Sequence, residues 1–197
     1  EDVALMRMIP NMEVFVPCDA TEARAITEHI ATTDKPSYIR LTREKTPLIH
    51  PDNYVWNHGK ATVMYVPKQK HGGEFMYNVG IIACGPILYE ALKAAKLLEK
   101  EGIGATVVNM PQIKPLDTAF LLRFAKEIRV LVTVEEHQIA GGLGSAVAEF
   151  LSEHRPITIS RIGINDRFGQ SGKPGELYEE YELTAKHIAE RVKTIIK

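Results

Sequence analysis

Cysteine is nearly missing from the 197-residue chain, with Cys18 and Cys84 the only two. So few thiols, far apart and each beside an apolar stretch, exclude a disulfide scaffold and read as two buried free thiols of a reducing compartment. An excess of one charge is missing too. Lys and Arg number 24 against 25 Asp and Glu, for a formal net charge of −1, and both signs are spread along the chain. The basic footprint of a nucleic-acid binder is therefore absent. No apolar run approaches the ~20 residues of a membrane span, and neither a charged-then-apolar leader nor a lipidation motif occurs. The expectation is a soluble, cytoplasmic protein without nucleic-acid or membrane partners. The length allows a sizeable core without staples, as one large domain or one domain plus part of another. The chain opens on Glu1 without a methionine and enters "DVALMRMIP", helix-like up to its proline. Terminal arms are normally polar and loose, so this start suggests a piece of a longer folded unit.

Two blocks are present. In the first, "VFVP" reads as a short strand, followed by Asp19 as an N-cap with Glu22 as its capping-box partner. Ala23, Ile26, Thr27 and Ile30 mark the inward face of the helix that follows. "DKP" breaks it and "SYIRLTR" (37–43) reads as a second strand, completing a partial βαβ unit. Residues 46–56 turn polar and proline-bearing, so the linker falls at 50–56, between a unit of 1–49 and one of 57–197.

In the second block "KATVMYV" and "EFMYNVGIIAC" are joined by the polar, glycine-bearing "PKQKHGG", which reads as a hairpin. Ile87, Leu88, Ala91, Ala94, Ala95 and Leu98 share one helical face, with Gly102 as C-cap. "ATVVNM", a helix over 117–126, "RVLVTVEE", a helix over 141–153 and "ITISRIG" follow. A short helix behind "SGKP" and a terminal helix capped by Thr184 end the chain. The expected fold is α/β: a mostly parallel five-stranded sheet with one antiparallel strand and helices on both faces, preceded by the partial βαβ unit.

Ligands of such sheets sit beyond the carboxyl ends of the strands, where "TVEEHQIAGGLGSA" places Glu135, Glu136 and His137. Neighbours on a strand point to opposite faces, so Glu135 and Glu136 cannot converge on one bond. A metal at Glu135 and His137 would lack an identifiable third ligand. Capping of backbone groups or pairing across an interface suits these carboxylates better. From Gly142 the dinucleotide pattern fails, because its sixth position is Val147. Gly141, Gly142 and Gly144 instead suit a tight strand-to-helix turn, an anion at that helix N-terminus remaining open. Arg40 and Arg43, ending the second strand, suit bidentate phosphate contacts. Surface ion pairs with Glu44 or Asp34 are the equal alternative. The seven histidines show no metal-ligand spacing, and no nucleophile triad assembles from local signatures.

"MRMIPNMEVFVPCDATEA", "PSYIRLTRE", "VTVEEHQIAGGLGSAVAE" and "GINDRFGQSGKPGELYEEY", in that order, resemble the C-terminal portion of a transketolase. The likeness runs essentially the whole length and is nearest to the short bacterial and archaeal type, often split into two chains. Deoxyxylulose-phosphate synthases and 2-oxo-acid dehydrogenase β subunits share the architecture, but "DRFGQSGKPGEL" is transketolase-like. The resemblance implies that residues 1–49 are the tail of a pyrimidine-binding domain and 57–197 the C-terminal domain. It implies thiamine diphosphate and a divalent metal, Mg or Ca, in the complete enzyme, with neither expected in this chain alone. It also implies an N-terminal transketolase subunit or domain, a homodimer partner and sugar phosphates as partners. Arg43 matches the family's phosphate-binding arginine, with Arg40 the neighbouring alternative. No catalytic, cofactor-binding or metal residue is carried over. Glu136, His137, Gly141, Gly142 and Gly144 take a structural or interface role. The alternatives are a 1-deoxyxylulose-5-phosphate synthase-like fragment, or a stand-alone α/β interaction or small-ligand module.

Overall fold

In the computed structural model residues 1–68, 75 and 77–197 are described. The first block holds α1 (Asp2–Met8), β1 (Glu13–Phe15), α2 (Ala20–Ile30) and β2 (Ser37–Ile39). Then come β3 (Thr62–Tyr65), β4 (Asn78–Ala83), α3 (Leu88–Lys100), β5 (Gly104–Asn109), β6 (Gln112–Lys114) and α4 (Thr118–Glu127). β7 (Val130–Gln138), α5 (Leu143–His154), β8 (Thr158–Ile164), α6 (Pro174–Glu180) and α7 (Ala185–Ile196) complete the chain. No helix among the described residues is long and apolar enough to cross a membrane.

The main sheet has the order β3-β5-β4-β7-β8. β5, β4, β7 and β8 are parallel and β3 runs antiparallel on the edge, with Val63 opposite Val108. This is the expected five-stranded sheet, but its antiparallel strand has a different partner. The hairpin does not form, because β5 lies between β3 and β4. β4 is buried from Val79 to Ala83 and takes a parallel neighbour on each side. β3, exposed at Thr62 and Val63, belongs at the edge. Residues 69–74 of the proposed turn, and Met76, lie outside the described residues.

Strand alternation divides the core. Val79, Ile81 and Ala83 of β4 and Val132 and Val134 of β7 pack under α3 and α7. Ile82 of β4 and Leu131 of β7 point to the opposite face, under α4 and α5. All six positions expected on the inward face of α3 are buried, and Gly102 takes a left-handed φ of +81° just past its end. α7 buries Ala185, Ile188, Ala189 and Val192. Thr184 does not cap it with its hydroxyl, which pairs with His187 Nδ1 at 2.8 Å. The free N–H of Ala185 instead donates to Glu90 of α3 at 2.7 Å.

The first block forms a second sheet, β2-β1-β6. β1 and β2 are parallel, as a βαβ unit requires, and β6 adds antiparallel to β1. Three-residue β6 carries no alternation long enough to be read from sequence. Val3, Val14 and Val16 share a core with Ile82, Val108 and Leu131, so the small sheet packs directly on the large one. Asp19 caps α2 by accepting the Glu22 N–H at 2.8 Å, but Glu22 reaches back to the Cys18 N–H, one residue beyond the expected capping box. Ala23 and Ile30 of α2 are half-buried and Thr27 is exposed, whereas Thr21, Glu22 and Ile26 are buried. The second strand is shorter than expected, ending at Ile39. Cys18 and Cys84 are both free and buried.

β4 and α4 meet closely at Gly80, where an added Cβ would lie 2.6 Å from Ile128 Cδ1 and 2.6 Å from Phe124 Cε1. Gly80→Ala is expected to lower the unfolding free energy by about 1–3 kcal/mol through overpacking, read as a lower urea midpoint at unchanged m-value.

Candidate functional site

The carboxyl end of β7 is the pivot of the site. Continuing the alternation of β7, Glu135 falls on the α5 side and Glu136 on the α3 side. Glu135 is buried, and its two oxygens accept the N–H groups of Leu143 (2.7 Å) and Gly144 (2.8 Å), which open α5. Its carboxylate therefore serves as the cap that Gly142, without a side chain, cannot supply. Gly142 makes room for it, and Gly141 and Gly144 allow close packing around the same turn. A Cβ on Gly142 would lie 1.8 Å from Glu135 Oε2, and one on Gly144 2.5 Å from Thr133 Oγ1. Gly141 has a φ of +83° and a Cβ there would meet Ala4 of α1. Arg7 of α1 closes the turn, donating to the carbonyls of Gly141 (2.5 Å) and Gly142 (3.2 Å) and pairing with Glu149 at 2.7 Å.

His137 is buried on the same side as Glu135, with Nδ1 2.7 Å from the Gln138 carbonyl. A carbonyl only accepts, so Nδ1 carries the hydrogen. Burial pulls the pKa of this imidazole down. The Glu135–His137 separation is 3.8 Å, but among the described residues no third ligand joins them in a metal-binding group.

On the opposite side Glu136 faces a cleft of about 460 Å³ between the loop 42–47, the start of α3 and the segment 170–178. Tyr178 of α6 donates its hydroxyl to Glu136. Burial pushes the Glu136 carboxyl up, against the pull of that hydrogen bond and of the Arg40 charge. Tyr178 is pushed up in turn by its own burial and by the Glu136 charge.

The two arginines are separated in role. Arg40 lies one residue past β2, its N–H donating to the Phe15 carbonyl, and its Nε pairs with Asp2 at 3.3 Å. Asp2 also accepts from the Tyr38 hydroxyl at 2.6 Å. Arg43 is exposed on the wall of the cleft beside Lys45. Among the described residues Arg43 has no ion-pair or hydrogen-bond partner, so neither Glu44 nor Asp34 holds either arginine. Its guanidinium is available to an anion in the cleft.

Sequence spacing missed a buried polar group beneath the neighbouring loop. His50 Nδ1 lies 3.5 Å from Cys18 Sγ and 3.3 Å from Asp19 Oδ2, and Asn109 and Tyr54 both donate to Glu22 Oε1. Asp19 already accepts the N–H groups of Glu22, Ile49 and His50. Hydrogen bonding within the chain engages both carboxylates of this group, while His50 Nε2 and Asn109 Oδ1 are buried without a hydrogen-bond partner among the described residues. Acidic neighbours and burial raise the Cys18 thiol far above its ordinary value, which keeps it protonated and a poor nucleophile. These contacts join positions about 30 to 90 residues apart, beyond any local motif.

Comparison with known proteins gives the context. The family model described as "Transketolase, C-terminal domain" matches residues 76–188, and that described as "Transketolase, pyrimidine binding domain" matches residues 1–48. A 6-deoxy-6-sulfo-D-fructose transketolase subunit from Clostridium sp. (strain MSTE9) is 41% identical over 95% of this chain and 56% of its own length. A putative transketolase C-terminal section from Methanocaldococcus jannaschii is 38% identical over 98% of this chain and 58% of its own length. Among solved structures, a split-gene transketolase, described as an inactive beta4 tetramer, superposes with a TM-score of 0.88 at 45% identity. That match covers 98% of this chain and 61% of the other. The chain thus spans little more than half the length of the curated relatives it matches.

Burial pushes the Glu135 carboxyl up to about 7, against its two N–H bonds and the charges of Arg7 and Arg161. An unfolded glutamate titrates near ~4.3, so between these values the folded chain holds a proton that the unfolded chain has lost. This contribution to stability is complete below pH ~4.3 and disappears as pH rises through about 7. Urea unfolding between pH 5 and 8 should therefore show stability falling more steeply for the parent chain than for Glu135→Gln. Parallel slopes would mean that Glu135 is already ionised at pH 5.

Proposed function

From the premise that the chain belongs to the transketolase family, we propose that it is the C-terminal part of a thiamine-diphosphate-dependent transketolase. The complete enzyme moves a two-carbon ketol unit from a ketose phosphate to an aldose phosphate. The observation that carries this reading is Arg43, a guanidinium without a partner among the described residues, on the wall of a cleft at the carboxyl end of the strands. Such a group makes bidentate, charge-assisted contacts to phosphate. Bound there, it supplies binding energy remote from the reacting carbon and orients the sugar. Arg40, engaged with Asp2, acts by holding α1 against the end of β2.

In this reading residues 1–49 are the tail of the pyrimidine-binding domain, 50–56 the linker and 57–197 the C-terminal domain. The separate small sheet in the first part and the match of two family models, to residues 1–48 and 76–188, support this division. The cofactor's divalent metal does not fit the described cleft. Of its three carboxylates, Glu136 is engaged by Tyr178 and Glu90 by Ala185 and Lys93, which leaves only the exposed Glu44, set between Arg43 and Lys45 whose charges would repel a cation. Thiamine diphosphate, which supplies the carbanion stabilisation of the reaction, is accordingly held by the rest of the assembly. An N-terminal transketolase subunit or domain and a second copy of the chain are the partners proposed. Full exposure of Phe168, with Val55 at 85% and Met8 at 83%, supports apolar contact with them. His137, Gly141, Gly142 and Gly144 keep the β7–α5 turn in shape for that assembly, and Glu136 holds α6 against β7 through Tyr178.

Arg43→Ala in the complete enzyme is expected to reduce kcat/KM for phosphorylated sugars by about 10- to 150-fold, the loss of one charge-assisted contact of ~1.5–3 kcal/mol. An unphosphorylated acceptor should lose little. Equal loss on both removes Arg43 from the phosphate site. Turnover of pyruvate with an aldose phosphate, and none with a ketose donor, points to the synthase instead.

A further inference from the structure

Remote from this cleft, three side chains from separate parts of the chain converge where β1, α2 and the segment before β3 meet. Glu13 on β1 is 2% exposed. Its Oε1 lies 3.3 Å from His58 Nε2, and its Oε2 lies 3.9 Å from His29 Nε2. The ligand atoms of all three residues lie within 4.8 Å of one another. The two imidazoles are stacked with centroids 4.2 Å apart, so their Nε2 edges face the same carboxylate.

Two of the polar atoms at this point are left without hydrogen-bond partners among the described residues. Glu13 Oε2 and His29 Nε2 are both buried and neither has a hydrogen-bond partner among the described residues. Burying an unpaired carboxylate oxygen is costly, and two such atoms aimed at each other mark a place for something else. Lys35 Nζ, 3.4 Å from Glu13 Oε1, is the competing cation, but its side chain is 59% exposed and can withdraw into water. The contrast with Cys18, Asp19 and His50 is direct, since there Asp19 is already engaged by three backbone N–H groups.

We propose that Glu13, His29 and His58 form a binding site for a divalent transition-metal ion of the zinc type. Bonds of about 2.0–2.1 Å to imidazole nitrogen and carboxylate oxygen in a tetrahedron put ligand atoms roughly 3.3 Å apart. The Glu13 Oε1–His58 Nε2 distance already has that length, whereas His29 Nε2 lies 3.9 Å from the other Glu13 oxygen, so a small side-chain shift is needed to bring all three residues onto one ion. Two imidazoles and one carboxylate favour zinc, cobalt or nickel over magnesium, which prefers oxygen ligands. The fourth position is left to water.

The site is supported from behind. Glu13 sits on the central strand of the small sheet, between β2 and β6. His58 lies in a turn closed by Lys60 N–H donating to Asn57 O at 3.0 Å, with Gly59 at a φ of +71°. Gln112 of β6 accepts the Gly59 N–H at 2.9 Å and fixes that turn to the same sheet. The ring of Trp56 packs edge-on against His29 at 5.1 Å and His58 at 5.4 Å. A bound ion would clip the segment carrying Trp56 and His58 to β1 and α2, coupling binding to the stability of this junction.

Trp56 is the only tryptophan of the chain, so its fluorescence reports directly on the site. The full polypeptide, free of affinity tags and stripped with chelator, is titrated with Co²⁺ and Zn²⁺. One equivalent of Co²⁺ should quench Trp56, Zn²⁺ should reverse the quenching by displacement, and Mg²⁺ should do neither. Isothermal titration should give one Zn²⁺ per chain lost with the Trp56 signal, weakened at least tenfold in His29→Gln and in His58→Gln. His58 is 42% exposed at its side chain, so His58→Gln should retain the parent far-ultraviolet circular dichroism. Cys18→Ser should bind as the parent does, without change in the quenching. Absence of quenching by Co²⁺, or quenching that survives in the folded double variant, overturns the proposal. Loss of binding only in Cys18→Ser moves the metal to the other group and equally overturns it.

Discussion

The ligand-facing end of the main sheet depends on one buried carboxylate. Glu135 ends the apolar part of β7 and takes the first free N–H groups of α5 onto its two oxygens. With a side chain at Gly142 there would be no room for it, and without Glu135 those N–H groups would be buried and unsatisfied. The cap fixes the direction in which α5 leaves the sheet, and α5 covers the face that also receives Val3 and Val14 of the small sheet. Arg7 then ties α1 to the carbonyls of the same turn.

Its chain neighbour has a different task because a strand alternates. Glu136 lies across the sheet from Glu135 and faces the cleft, held by Tyr178 and within the field of Arg40. The cleft therefore has an engaged carboxylate in its floor and the free guanidinium of Arg43 on its wall. That combination suits a ligand carrying phosphate at one end. The cleft and the cap of α5 thus come from adjacent residues of β7 while using its opposite faces.

Much of this was legible in sequence wherever the information is local. The inward face of α3 and the N-cap Asp19 follow from spacings of three and four residues. Opposite orientation of Glu135 and Glu136 follows from the two-residue strand period. Pairing partners are a different matter. The runs containing β3 and β4 looked like a hairpin because they are consecutive, yet β4 needs a strand on both edges and β5 supplies one of them. Arg40 was expected to bind phosphate or a nearby acid, but its partner is Asp2, 38 positions away and brought close by the docking of α1. Thr184 stood at the right place to cap α7, yet Glu90 of α3 does so, because the two helices pack side by side.

The sequence by itself determined the class of fold, the inward face of α3 and the family, since these rest on periodicity and on motifs a few residues long. Only the tertiary structure decided strand order, the different surroundings of Arg40 and Arg43, and the meeting of Glu13, His29 and His58. Those depend on which distant segments share a desolvated space. A histidine's partner is set by the packing of β1, α2 and the turn before β3, and no spacing along the chain encodes that distance.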